Sequence, residues 1–500
     1  MRSTTLSFLR DRCSLDAPDN GSESSTFSPS NPAPWPGCRP QLSGQDPLHA
    51  SASIAWELLA ASGRTTAERY GLAPRRLPDV RHGEAMPTSI QFPYTPHKPN
   101  AGITLYQGQM SIRQDRRAAR LQGPGRIDVV WIPSSGIQFE ITINGGSLST
   151  NIGKAVYLTW GSNSSRALVL YRGHQSGRSG YTETLRGFLL PPTKYGGKPS
   201  RTLLFGVVNF PKWRNPQGEI EFSLGDWQIS MADSTPAIYD QLRADGGFCI
   251  TNVGLAQRGG SPASAREVYR LLDELALLFS LARGSWACPF LPVSFCRTGA
   301  RIWEEWALRN VDTWKGHFSW FPPFHPDALA SVATGLHSRW SNPIWTEPLE
   351  VAIHLYVESN SGGLARESSL ILGQTALELL SWTYFVVDQK LYSASQFDGL
   401  WAAERIRKLL KTAKIPTAIP RQLGSLAASG AWANGPHAIT AFRNALVHPP
   451  RLPSLLTKPS QARLQAWQLT LWYLERAFLW LLGYSGHYCN RLRRYEEEVI

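Results

Sequence analysis

The sequence of 500 residues is poor in cysteine and lacks several common catalytic motifs. Its six cysteines include no C-x-x-C pair, which excludes a disulfide-rich scaffold and argues against a structural zinc site. H-E-x-x-H, G-x-x-x-x-G-K-[ST] and G-x-S-x-G are also absent. These absences argue against a zinc protease, a P-loop nucleotidase and a nucleophile-elbow hydrolase. We therefore expect no metal ligands and no cofactor.

Long apolar runs are missing too. The most apolar stretch, 466–484, carries Gln468, Glu475 and Arg476, so no window of about 18 uncharged apolar residues is available to span a membrane. The first 16 residues lack the apolar core of a secretory signal. We expect a cytoplasmic protein with no membrane partner.

Positive charge is in excess and unevenly placed. Lysine and arginine number 51 against 38 acidic residues, a formal net charge of +13. Residues 86–248 hold 17 basic and 10 acidic residues, and residues 350–500 hold 16 and 11. This balance favours an anionic partner such as nucleic acid, which would contact these two segments.

The chain divides into three parts by pattern. Residues 1–85 include a Ser/Pro-rich stretch too poor in apolar surface to fold, and we predict a disordered leader. Residues 86–310 alternate in the manner of short strands, with one helix over 262–281 capped by Ser261. Residues 323–500 have helical periodicity. The predicted fold class is α+β, with a β-rich, sandwich-like or barrel-like domain followed by an all-α helical bundle.

Individual elements follow from the same patterns. The predicted strands are 102–106, 127–132, 137–143, 155–160, 167–171, 185–190, 202–210, 219–224, 227–231, 290–295 and 302–307. The predicted helices of the C-terminal part are 326–340, 347–358, 364–386, 397–413, 420–428, 436–447 and 460–482.

The segment 435–450 carries clear helix boundary signals. Pro436 suits the first turn of a helix, where no backbone donor is needed from it. Pro449 disfavours helical geometry at His448. The helix should therefore end at His448, where the imidazole can reach a ligand.

Three side chains at the end of this helix suit phosphate chemistry. Asn444 and His448 are four positions apart, so they are neighbours on the helix surface. Arg443 lies at the edge of the apolar stripe, where an unpaired charge is costly. It would therefore pair with a carboxylate, lie at a subunit interface or hold an anion.

The order Arg443-Asn444-Ala-Leu-Val-His448 at a helix end resembles the motif of HEPN-domain ribonucleases. Stretches on either side resemble the helical half of ApeA-like abortive-infection proteins, which act in anti-phage defence. These stretches are 374–380, 406–410, 472–475 and 483–491. Residues 86–310 resemble the N-terminal domain of that group more loosely.

The resemblance implies a HEPN-like bundle over 323–500 and metal-independent endoribonuclease activity in a homodimer. His448 would act as general acid or base, Arg443 would bind the phosphate, and Asn444 would orient His448 or the phosphate. Histidine titrates near neutrality and arginine matches phosphate oxygens, so these residue types suit cleavage through 2′-OH attack. The β-rich domain would restrain the nuclease until it binds a phage-derived trigger.

Several further residues are weaker candidates. Glu378 would orient the Arg443 guanidinium or pair with another helix. Five more side chains are candidate RNA contacts through charge or stacking, each with a structural alternative: Arg405, Lys408, Lys411, Tyr488 and Arg491.

Two other functions fit the same sequence. A non-catalytic HEPN-like module would bind nucleic acid or a nucleotide without cleaving it. A protein-interaction scaffold would use Arg443 in a structural ion pair and His448 as a favourable charge at a helix end.

Overall fold

The architecture is taken from a computed structural model of the chain. It describes residues 92–94, 98–131, 135–148, 152–177, 180–190, 193–197, 199, 201–213, 219–233, 236–296, 299–307, 309–316, 318–361, 366–451, 453, 457–493 and 496–500. The predicted leader, 1–85, lies outside these residues.

The first six strands form a closed antiparallel barrel. They are β1 (Ile103–Arg113), β2 (Leu121–Val130), β3 (Gly136–Asn144), β4 (Ala155–Trp160), β5 (Asn163–Gly177) and β6 (Gly180–Leu189), in the order β1-β2-β3-β6-β5-β4. The barrel closes because β1 also pairs with β4, so that Met110 faces Gly123 on one side and Trp160 on the other. Of the two architectures that the strand pattern allowed, a sandwich and a barrel, this part of the chain forms the barrel. Period-2 alternation marks an inward face in both architectures, and only the pairing of the end strands separates them.

Seven further strands form an open antiparallel sheet. They are β7 (Thr193–Gly196), β8 (Thr202–Val208), β9 (Glu219–Leu224), β10 (Trp227–Asp233), β11 (Ile250–Arg258), β12 (Pro289–Phe295) and β13 (Arg301–Trp306), in the order β7-β13-β12-β8-β11-β10-β9. Alternate residues of the central strand β8 enter different cores. Leu204 and Val208 pack with the barrel, whereas Leu203, Phe205 and Val207 pack with the helices. The sheet is thus buried on both faces.

Two helices accompany this sheet, where one was predicted. They are α1 (Pro236–Asp245) and α2 (Ala265–Arg283). The cap of α2 is Ser264 instead of Ser261. Its hydroxyl accepts from the Glu267 backbone while the Glu267 carboxylate accepts from the Ser264 backbone. This capping box satisfies two donors at once and so fixes the start of the helix.

The C-terminal region is helical, as predicted. Its helices are α3 (Ala328–Trp340), α4 (Thr346–Asn360), α5 (Arg366–Trp382), α6 (Ala394–Asp398), α7 (Ala402–Thr412), α8 (Gly424–Ala428), α9 (Gly435–Val447) and α10 (Ser460–Leu481), and α5 continues into a π-helical turn, Thr383–Asp388. The region is not all-α, because β14 (His487–Asn490) and β15 (Glu496–Val499) form a hairpin after α10.

One apolar core joins the sheet to the helices. The buried cluster that contains α2 and one face of the sheet also contains the inner faces of α3, α4, α5 and α10. Trp320 and Phe321, from the segment between the two predicted domains, belong to it. The predicted boundary at 310–323 therefore marks a change of secondary structure within a continuous core.

Among the described residues, one helix has the length and composition to cross a membrane. It runs over 366–388, and half of its most apolar window is buried.

Candidate functional site

The predicted site is built on α9, whose ends are set by the residues that predicted them. The Asn434 side chain accepts from the His437 backbone at 2.9 Å, and Pro436 occupies the first turn. At the other end His448 leaves the helix with φ −116° and ψ 99°. Its N–H still donates to the Asn444 carbonyl, at 3.1 Å. Buried Ala438, Ile439, Phe442 and Ala445 hold the helix in the bundle.

Arg443 is half-buried and lacks a carboxylate partner in the described part of the chain. Its Nη1 donates to Asn444 Oδ1 at 3.3 Å. Its Nε is buried, with no hydrogen-bond acceptor among the described residues. Because a guanidinium has five donors and a full charge, this environment leaves capacity for an anion.

His448 is exposed, and Asn444, which follows Arg443 directly in the sequence, is half-buried. The structure therefore presents His448 to solvent at the C-terminal end of α9, as the sequence predicted. The amide of Asn444 is oriented by the Arg443 guanidinium. This arrangement keeps the base, the cation and the amide within one and a half turns of helix.

A cavity of about 650 Å³ opens beside α9. Asn444 lines it, whereas Arg443 and His448 do not. Trp432 and the strongly exposed Trp401 (83% accessible) supply aromatic surface. Of the three predicted catalytic residues, Asn444 therefore contributes to this cavity.

The charged residues lining this cavity are mainly basic. Arg407, Arg451 and Lys458 supply three positive charges and Glu404 one negative charge. Arg407 donates two hydrogen bonds to Glu404, at 2.7 and 2.6 Å, and these bonds lower the pKa of that carboxyl. Lys458 lies 5.4 Å from the centre of the Trp432 ring. The net positive lining and the aromatic surface suit an anion that carries a flat ring.

Two lining residues on α9 were missed by the sequence analysis. His437 Nδ1 accepts a hydrogen bond from the Ala433 backbone N–H at 3.2 Å. Thr440 Oγ1 is buried without a hydrogen-bond partner among the described residues. Both share a face with Asn444 at helical spacing, which is the signal that could have found them. His437 and His448 are eleven positions apart, about 16 Å along a helix, so they cannot serve one phosphate.

Glu378 does not orient Arg443. Its Oε1 accepts from Gln374 Nε2 at 2.9 Å, and its Oε2 lies 4.0 Å from Arg405 Nη1. Arg405 also donates to the carbonyls of Asp398 and Leu400. The carboxylate therefore connects α5 to the start of α7, which is the structural alternative that the sequence left open.

The other candidate RNA contacts separate into two groups. Lys411 is exposed, and Lys408 donates to the Tyr392 hydroxyl at 2.9 Å while half-exposed on α7. Tyr488 and Arg491 are buried, with accessibilities of 0% and 5%. Arg491 binds Glu475 inside the fold, so the prediction that these two residues contact RNA is wrong. Both residues pack inside the fold in or next to β14, which is the structural alternative to contact with RNA.

Comparisons with known proteins place both the sheet and the site in recognised domains. Residues 197–317 match the YopA central domain, and residues 342–500, which include α9, match the YopA C-terminal domain. The chain is also similar to the SPbeta prophage-derived uncharacterized protein YopA of Bacillus subtilis (strain 168). That similarity is 28% identity over 424 residues, covering 79% of this chain and 92% of the relative. No solved structure matches the chain.

Proposed function

We propose that this protein is a HEPN-type endoribonuclease that cleaves RNA without a metal ion. The observation that carries the proposal is the end of α9, where an exposed His448 follows an Arg443 that has no carboxylate partner among the described residues. A structural arginine at this depth would be expected to have a counter-ion. An arginine reserved for a phosphate would not.

The chemistry follows from the residue types. A base removes the proton of a ribose 2′-OH, the 2′-oxygen attacks the adjacent phosphorus, and the bond from phosphorus to the 5′-oxygen breaks as that oxygen takes up a proton. His448 performs proton transfer, and Arg443 binds the phosphate oxygens as charge develops on them. Asn444 positions the guanidinium. The products are a 2′,3′-cyclic phosphate and a 5′-hydroxyl.

The cavity beside α9 gives the RNA a binding surface. Arg451 and Lys458 would contact neighbouring phosphates, and Trp401 would stack on a base. One His448 cannot act in the same step both as the base that deprotonates the 2′-OH and as the acid that protonates the 5′-oxygen. We therefore propose a homodimer in which two α9 ends face one RNA strand.

The biological role we propose is anti-phage abortive infection in the cytoplasm. A nuclease of this kind damages its own cell and so needs restraint. The barrel and the seven-stranded sheet would supply it until they bind a phage-derived trigger. Similarity to a prophage-derived relative supports a phage-related role.

End-group analysis of RNA incubated with the full chain and EDTA tests the proposal. Arg443→Ala and His448→Ala should each lower the cleavage rate by about 10²- to 10⁴-fold, with unchanged thermal stability. Arg421→Ala is the matched control, because Arg421 is exposed and does not line the cavity. The proposal is overturned if both variants cleave like the parent, or if EDTA abolishes parental cleavage.

A second candidate function is binding of RNA or a nucleotide without cleavage. It is favoured by the position of Arg443 and His448 outside the cavity lining. In that case the parent would bind RNA in a salt-dependent manner and leave it intact after long incubation. The same assay therefore separates the two functions.

A further inference from the structure

Three side chains of types that bind metal ions meet outside the cavity beside α9. His325 precedes α3, His487 begins β14, and Glu497 belongs to β15. One ligand atom from each lies within 4.8 Å of the other two. His325 Nε2 is 3.3 Å from Glu497 Oε2. None of the three lines the cavity beside α9.

The backbone holds these side chains in place. In the hairpin, His487 pairs with Val499 and Cys489 with Glu497, so His487 and Glu497 are diagonal neighbours on one face. The Phe324 backbone donates to Glu497 Oε1 at 3.3 Å, which directs Oε2 towards His325. The Cys489 backbone donates to the Trp320 carbonyl at 2.7 Å and ties the hairpin to the segment that carries His325.

An ion pair with Glu497 does not by itself explain why the imidazoles of His325 and His487 lie together. Their rings stack with centres 3.6 Å apart and an angle of 8°. The carboxylate of Glu497 pairs with His325 Nε2, and this contact does not explain why the His487 ring lies against the His325 ring. Imidazole nitrogens are common ligands of transition-metal ions, and two of them meet one carboxylate here.

We propose that His325, His487 and Glu497 bind a divalent transition-metal ion of the Zn²⁺ class. Two imidazole nitrogens and one carboxylate oxygen match the ligands that zinc accepts, and three protein ligands leave a position for water. Calcium and magnesium prefer oxygen ligands and would not select this set. The Phe324 N–H donates to Glu497 Oε1 and so orients the carboxylate, as hydrogen bonds to metal-binding side chains commonly do.

The position of the site gives the metal a structural consequence. Residues 320–327 belong to the connection between the seven-stranded sheet and α3, and the hairpin follows α10. A bound ion would fasten the hairpin to this connection. Metal binding should therefore raise the thermal stability of the protein, since it favours the folded state over the unfolded one.

Zinc binding by the full chain, stripped with EDTA and then dialysed, tests the proposal. Calorimetric titration with ZnCl₂ should give one site that His487→Ala and Glu497→Gln each weaken at least tenfold. Zn²⁺ should raise the melting temperature of the parent by several degrees, and Mg²⁺ should not. His354→Ala is the control, because His354 is exposed on α4 and outside the cluster.

The glutamine variant protects the test against misfolding. It removes the charge of Glu497 but keeps an oxygen for the Phe324 N–H. The proposal fails if the parent binds no Zn²⁺ at 100-fold molar excess, or if Glu497→Gln and His487→Ala retain parental affinity. Neither readout uses RNA, so the metal site and the nuclease function are tested independently, and either proposal can fail without the other.

Discussion

Replacing Arg491 by methionine should destabilise the protein strongly, because it leaves a buried carboxylate without its counter-charge. Glu475 and Arg491 have side-chain accessibilities of 0% and 2%. Arg491 Nε donates to Glu475 Oε2 at 2.8 Å. Its Nη2 also donates to Glu475, to Asn360 Oδ1 at 3.2 Å and to the Phe318 carbonyl at 3.3 Å. Tyr356 donates to the same carboxylate at 2.7 Å.

The magnitude follows from what remains after the substitution. Methionine fills the space of the arginine stem but supplies neither charge nor donors. Removing one partner of a buried pair costs about 3–5 kcal/mol of unfolding free energy. The double variant Glu475→Gln with Arg491→Met removes both charges and keeps an acceptor for Tyr356. It should recover at least half of that loss, because no buried charge is left.

Urea unfolding followed by tryptophan fluorescence measures these differences. Arg493→Met is the matched control from the same helical turn, since Arg493 is 54% exposed and pairs with Glu498 at the surface. It should cost less than about 1 kcal/mol. The reasoning is refuted if Arg491→Met is as stable as Arg493→Met, or if the double variant is no more stable than Arg491→Met.

Two further predictions concern the cavity and the sheet. Trp401→Ala should weaken RNA binding by about 1–3 kcal/mol without changing the melting temperature, because the ring is exposed; unchanged affinity in a filter-binding assay would contradict the stacking role. Burial raises the pKa of Asp233 to about 6, so its contribution to stability is full below about pH 4 and is lost as the pH rises through 6. Asp233→Asn keeps the acceptor for Tyr239 and Asn252. It should raise the free energy of unfolding at pH 7.5 by about 1 kcal/mol after allowance for solvent screening. It should also flatten the dependence of the melting temperature on pH between pH 4 and pH 7, and an unchanged dependence would argue against this role of Asp233.

Much of the secondary structure was predictable because its signals are local. Strands 155–160 and 219–224 have the predicted bounds, and the helix at 436–447 is found within one residue. Strand β11 was missed because its residues Thr251 and Asn252 are polar. They are buried only because Val207, Phe210 and Asp233 provide acceptors for them. These hydrogen bonds, which compensate for the burial of Thr251 and Asn252, cannot be predicted before the neighbouring strands are known.

The candidate site was predictable in part. Proline placement fixed where α9 begins and ends. The spacing of Asn444 and His448 predicted a shared face, but His448 leaves the helix, and only Asn444 of the two lines the cavity. The environment of Arg443 could not be predicted, because it depends on which helices pack around it. The pairing of Glu378 with Arg405 is an example: both residues were singled out, but the sequence did not predict that they pair with each other.

The sequence alone determined that a strand-rich part precedes a largely helical part, that His448 lies at a helix end and that positive charge is in excess. These properties depend on neighbours a few positions apart. The tertiary structure decided that the strands close into a barrel, that Tyr488 and Arg491 are buried, and that His325 meets His487 across 162 positions. Those outcomes depend on contacts between segments that are distant in the chain. The pattern of neighbouring residues does not predict the free energies of such contacts.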